Sequence, residues 1–313
     1  METDHGVAMK LTALTMLMII TMICCVCDSV YSQEEDMLSF KGCSIIRRAF
    51  MSEAARAYEN ITGVKIIVTG GGATLGIRAA AAGDADIGGS CRPCLPEWFD
   101  EEKGVYMTQI AWDGLSFITH PSNPVNDITL KDAKDILLGK ITNWKEIGGP
   151  DQRIICVFRS QVPEHGGKVS GVGYMTRVMI FKDPNISFTD NALFFRNSAG
   201  VEEKIEIIPF TFGVTGVSSA RKRNVKILSL NGVPTTKENI ASGSYPLFRP
   251  LYLMTKGKPA GEGKKFIEWL LSDAGQAVVS KQGTVTVKEG KGLKEKFEFW
   301  RNTDLITNYN STY

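Results

Sequence analysis

The stretch "QIAWDGLSFITHPSNPVNDITLKDAKDILLGKITNWKEIGGPDQRIICVFR", Gln109 to Arg159, decides the fold. It opens on "QIAWDGLSFITHP", an apolar run without clean alternation, which predicts a strand buried on both faces. "TLKDAKDILLG" reads as a helix, and "QRIICVFRS" as a second strand that ends on Arg159.

The same alternation continues on either side. Upstream, "FKGCS" opens a helix, "IIRRAFMSEAARAYENITG", with Ile46, Phe50, Ala54 and Tyr58 at helical spacing and Gly63 as its stop. "VKIIVTGGG" predicts a strand, "ATLGIRAAAAGD" a short helix and "ADIGGS" another strand. Downstream, "GVGYMTRVMIF" begins a helix after a glycine-rich loop. "FGVTGVSSA" and "VKILSLNGV" are strand candidates, and "LFRPLYLMTKG" is a strand whose Pro250 belongs near an edge or crossover. "GEGKKFIEWLLSDAGQAVVSKQG" predicts a pair of amphipathic helices. Strands alternating with helices imply an α/β fold with a mostly parallel sheet.

With 313 residues, 43% hydrophobic and 22% charged, the chain is long enough for two lobes of ordinary domain size. A formal charge of +2 without a basic helix or Lys/Arg run argues against a nucleic-acid partner. The N-terminus reads as a secretory leader, residues 1–32. Lys10 precedes the apolar run "LTALTMLMIITMICCVC", and Ser32 in "VYSQ" offers a small residue at the cleavage point. Its removal takes away Glu2, Asp4, Asp28 and Lys10 and raises the charge to about +4. The implied compartment is extracytoplasmic, where disulfides persist.

Ligands of α/β folds sit at the carboxyl ends of strands, against helix starts. Three glycine-rich segments occupy that position: Gly42-Cys43-Ser44, Gly70 to Thr74, and Ser170-Gly171-Val172-Gly173. Each offers backbone N–H groups, and Ser44, Thr74 and Ser170 add hydroxyls. Converging helix starts hold an oxyanion without a full counter-charge, and Arg159 or Arg92 can clamp two oxygens. A Gly-Ser pair before a helix is, taken singly, most often a cap. Nothing in these loops assembles a Ser-His-acid set or a paired carboxylate, so an enzyme is not expected, and no cofactor motif is present.

These residues carry a resemblance. The Gln109–Arg159 stretch, with its "PSNPV", "GKITNW" and "IGG" pattern, resembles the phosphate-type periplasmic substrate-binding proteins, the solute receptors of phosphate uptake transporters. "TGGGATLGIRAAAAGDADIGGS" and "SGSYPLFRPLYL" match the same family, so the likeness runs over roughly residues 38–285. It implies a two-lobed periplasmic binding protein of type II, with the ligand in a cleft between lobes that close over it. Lobe one is then residues 36–113 and 248–313, and lobe two residues 114–247. "WDG" at Trp112–Gly114 and "YPLFRP" at Tyr245–Pro250 mark the crossovers, with Asp113 at the cleft mouth.

The resemblance implies a ligand set of Cys43, Ser44, Gly72, Ala73, Thr74, Ser90, Cys91, Arg92, Arg159, Ser170, Gly171 and Val172. The implied ligand is an inorganic oxyanion, phosphate or arsenate, and the implied partner the permease of an ABC transporter. Two departures stand out. Val172 replaces a hydroxyl-bearing threonine, and the 160–169 segment is long, adding His165 and Lys168.

The cysteines leave three readings open. Cys43, Cys91 and Cys94 lie in loops that the family turns towards its ligand. They form a disulfide, Cys91–Cys94 or Cys43 with either. Or they hold a thiophilic ligand such as trivalent arsenic, as in binding proteins that signal to a membrane sensor histidine kinase. Or they are buried thiols without a role, the natural class for Cys156. A metal site is not expected, since zinc needs a fourth ligand.

Overall fold

The structure, a computed structural model, describes residues 37–161 and 169–301, with side chains to residue 297. The expected leader, His165 and Lys168 lie outside the described residues.

The strands in chain order are β1 Met37–Gly42, β2 Lys65–Thr69, β3 Ile87–Ser90, β4 Val105–Thr119, β5 Asp127–Ile128 and β6 Ile155–Arg159. They continue as β7 Ala192–Phe195, β8 Thr211–Gly216, β9 Lys226–Ile227, β10 Ser229–Leu230, β11 Phe248–Lys256 and β12 Val285–Thr286. Two α/β halves result. In the first, β1 pairs in parallel with β2 and β3, and β11 joins β3 antiparallel. In the second, β6 pairs in parallel with β7 and β8.

One strand serves both halves. Residues Val105–Gly114 of β4 pair with β11, and Leu115–Thr119 pair with β8. Ile110 to Thr119 are all buried, as the apolar run requires. The sheet is therefore mixed where a mostly parallel one was expected. The crossover strands β4 and β11 lie antiparallel to their neighbours, whereas β1–β3 and β6–β8 keep the parallel order. Pro250 pairs with Trp112 of β4, and β3 reaches β11 only from Tyr252 onward, so the missing N–H falls where β3 makes no ladder contact.

The helices follow the glycine punctuation. Ser44–Ile46, a π-helical stretch Arg47–Met51 and Ser52–Thr62 form one continuous helix after β1. Ala73–Ala82 follows β2 and lies hard against β1 and β3. A Cβ on Gly76 would stand 2.8 Å from the Gly89 and Lys41 carbonyl oxygens, so only glycine lets the helix approach this closely. Gly171–Thr176 continues as a π-helix, Arg177–Phe181. "FGVTGVSSA" is strand only to Gly216; Val217–Ala220 turns into helix, because Asp113 accepts the Ser218 N–H and hydroxyl and bends the chain. The helix Ser198–Ile207 has no counterpart in the sequence reading.

Candidate functional site

β1 and β3 are parallel neighbours, with Gly42 level with Gly89, so the residues that follow them leave the sheet side by side. Cys43 follows β1 and caps its helix, its sulfur accepting from the Ile46 N–H at 3.5 Å. Cys91 follows β3, and the two thiols lie close enough for each to shift the other's ionisation. Ser44 begins the same helix that Cys43 caps and is buried.

The second loop arrives from β2. The Gly72 N–H donates to the Gly42 carbonyl at 3.3 Å, tying this loop to the first. Gly72 has φ 100°, and its Cα faces Arg159 across the cleft, with a Cβ there 3.8 Å from a terminal guanidinium nitrogen. The third segment arrives from the other half. Ser170 caps its helix through the Gly173 N–H at 3.2 Å. Gly171 lies so near the first half that a Cβ would stand 2.4 Å from Cys91 Sγ and 2.9 Å from Ala73 Cβ. Three helix starts therefore converge on one place, and Val172 packs behind them.

Two guanidinium groups meet there. Arg159 is 8% exposed and donates to the Phe195 carbonyl at 2.9 Å. Burial lowers it to about 10, with Cys91 and Cys43 pulling the other way, so it keeps its charge at neutral pH. Arg249, from β11, is fully buried. It reaches the Gly171 carbonyl at 3.3 Å and Asp113 Oδ2 at 3.4 Å, and its Nε has no hydrogen-bond partner among the described residues. A buried donor left unpaired costs about 1–3 kcal/mol. Burial acts to lower the Arg249 guanidinium, yet Cys91, Asp113 and Cys43 together raise it.

The thiols divide unequally. Hydrogen bonding from Cys43 brings Cys91 down to about 7, against burial and with help from Arg249. Burial pushes Cys43 up, and the neighbouring Cys91 adds to the rise. Cys91 is thus the more acidic of the two thiols.

Several sequence expectations need correction here. Arg92 is not a second clamp. It is fully buried, and it donates to Glu102 at 2.5 and 2.9 Å, to the Val169 and Pro93 carbonyls, and to Thr74 Oγ1. That pair fixes the loop from behind. Thr74 and Ser90 are drawn into the same network: the Thr74 hydroxyl donates to the Val169 carbonyl, and the Ser90 hydroxyl to the Arg92 carbonyl. Of the three readings open for the cysteines, the disulfide is not the one found: Cys43, Cys91, Cys94 and Cys156 are all free thiols. Cys94 faces away from the cleft, its sulfur 3.9 Å from Met254 Sδ in a separate apolar cluster. Asp113 is 1% exposed and lies at the base of the cleft, not its mouth. Cys156 is buried at the Ile136 carbonyl.

Other contacts hold the halves together. Arg48 pairs at 2.7 Å with Glu202, which also accepts from Thr215 and Ser219. Lys222 reaches Gln282 at 2.7 Å.

Comparison with known proteins follows the same outline. A PBP superfamily domain matches residues 48–274. A Clostridium perfringens substrate-binding protein, assigned to a phosphate ABC transporter and solved with bound phosphate, is 31% identical. It covers 80% of this chain and 99% of its own, with a TM-score of 0.70. This chain is a type II periplasmic binding protein of the phosphate-binding family. The phosphate-binding protein PstS of Borreliella burgdorferi is 28% identical over 82% of this chain and 92% of its own length. An ABC-type phosphate transport receptor of Vibrio cholerae is 26% identical over 80% and 99%, with a TM-score of 0.60. Members of this binding-protein family are extracytoplasmic receptors and not enzymes, and this chain is one of them. The cleft between its two lobes is where the helix starts and both guanidiniums meet. Arg249 is the buried cation at this place that the sequence reading missed. Its only signal was position: a charge inside the apolar run "LFRPLYL", where an unpaired cation is not tolerated.

Proposed function

We propose that this receptor takes a tetrahedral oxyanion, phosphate or the near-isosteric arsenate, and delivers it to the permease of an ABC transporter. The unpaired Nε of the fully buried Arg249, set beside Arg159 and three converging helix starts, carries the reading. Fixed N–H groups and guanidiniums in a dry cleft need no reorganisation to meet an anion, and charge-assisted bonds of this kind contribute about 1.5–3 kcal/mol each. The named relatives that bind phosphate support the choice of ligand. The lobes are residues 36–113 with 248–313, and 114–247. In support, β4 changes partners between Gly114 and Leu115 and β11 begins at Phe248. Residues 1–32 serve as the leader.

The two neighbouring thiols in the cleft favour a second reading, an arsenic-oxyanion sensor that signals to a membrane histidine kinase. Calorimetric titration of the reduced protein with phosphate, arsenate, sulfate and arsenite, before and after thiol alkylation, separates the two. Phosphate or arsenate binding that survives alkylation is the expected result. Arsenite binding that alkylation abolishes, with no phosphate heat, replaces the uptake reading with the sensor.

A further inference from the structure

The anion reading uses helix starts and guanidiniums; it does not use two thiols held against each other in the same cleft. They leave adjacent parallel strands, and the Cys43 N–H donates to the Gly89 carbonyl at 3.1 Å, locking their separation. Gly42 is level with Gly89, so Cys91 stands one residue beyond the position level with Cys43. A spacing of about 4.8 Å across the strands and a rise of about 3.3 Å along them put the two Cα atoms about 6 Å apart, within the range of about 4.4–6.8 Å that a disulfide spans. Both belong to the first half, so joining them does not tie the halves together. Neighbours confirm where the sulfurs sit: Gly171 opposes Cys91, and Arg249, Arg159 and Asp113 are the charged groups whose fields act at the pair.

We infer that Cys43 and Cys91 form a modification site, a reversible disulfide made by a small peroxide-class oxidant, and that its formation strengthens anion binding. The step balances. The Cys91 thiolate attacks one peroxide oxygen, giving a sulfenic acid and releasing hydroxide. The Cys43 sulfur then displaces water from that sulfenic acid, and its proton leaves with the departing oxygen. Two thiols are oxidised by two electrons, and hydrogen peroxide is reduced to two waters. Both sulfurs are buried with the cleft closed, so the oxidant enters while it is open.

The coupling to the anion follows from charge. In the reduced protein the Cys91 thiolate is an internal anion that competes for Arg159 and Arg249. A disulfide carries no charge and leaves both guanidiniums to the ligand. Cys91 ionises at about 7, so a ligand that excludes the thiolate binds the reduced protein less well as pH rises through that value. The deficit against the oxidised form reaches about 30-fold at about pH 8.5 and vanishes at about pH 6. Phosphate's own titration cancels in this ratio.

The inference rests on the oxyanion reading, and the test keeps the two apart. The full chain is treated with hydrogen peroxide, digested without reductant for peptide masses, and titrated with phosphate in oxidised and reduced forms at both pH values. A Cys43–Cys91 peptide pair about two daltons lighter than the free thiols, reversed by a dithiol, with the tighter binding confined to high pH, is the expected result. Cys91→Ser and Cys43→Ser each remove the peptide and the oxidant response, whereas Cys94→Ser keeps both. No such peptide, or a disulfide with unchanged phosphate affinity at high pH, overturns the inference. Phosphate heat without the peptide overturns this inference alone; a peptide without phosphate heat in either form overturns the uptake reading and the coupling with it.

Discussion

Gly171→Ala tests whether the two halves meet as described. A methyl at this position would stand 2.4 Å from Cys91 Sγ and 2.9 Å from Ala73 Cβ, two residues of the opposite half. Ordinary non-bonded separation is about 3.5 Å or more, so the halves must part by about 1 Å at the point where the helix starts converge. Overpacking of this kind costs about 1–3 kcal/mol. The backbone itself tolerates alanine, because Gly171 is helical. On the proposed reading that the lobes part without ligand, the open form escapes this crowding. The whole cost therefore appears in binding, as a loss of about 5- to 150-fold in phosphate affinity. Thermal melting of the ligand-free protein stays at the parent value. Calorimetry and melting on the same samples decide the matter. Unchanged affinity, or a melting temperature lowered without ligand in proportion to the affinity lost, would refute the argument that this contact forms on closure.

Two further substitutions probe the charges. Glu102→Gln leaves Arg92 buried without its carboxylate, and breaking such a pair lowers stability by about 3–5 kcal/mol, read from urea unfolding of the ligand-free protein. Arg159→Ala removes charge-assisted bonds worth about 1.5–3 kcal/mol, so phosphate affinity falls about 10- to 150-fold by calorimetry. An Arg159→Ala protein that binds as well as the parent removes that residue from the site.

What the sequence disclosed depended on how local the physics was. Glycine before a helix, apolar runs and a strand-end arginine are local, and they located the three loops and Arg159. Arg92 looked like a clamp for the same reason. Its true partner, Glu102, sits ten residues away in a short 3-10 turn, where no periodicity announces it. Cys94 shares a loop with Cys91, yet the chain after Pro93 turns it into the apolar cluster of Met254, a contact across 160 residues. Arg249 depends on the register of β11 against β4, which places it beside Asp113. The helix Ser198–Ile207 escaped because its buried residues, Ser198, Val201, Glu202 and Ile205, include a polar and a charged one. Glu202 is buried only because Arg48, Thr215 and Ser219 come from elsewhere to satisfy it.

β4 has a consequence for how the molecule comes into being. A strand whose first ten residues complete one ladder and whose last five complete another gives neither half a finished sheet of its own. Hydrogen bonds on one side of Gly114 hold in place the backbone that the other side needs. Neither half can then fold independently of the other, so heat or urea should dismantle them in a single cooperative transition. A nick between Trp112 and Leu115 would unravel both, whereas the turn at Pro121–Ser122, with Ser122 exposed, lies beyond the shared ladder and offers a place where the chain tolerates being opened.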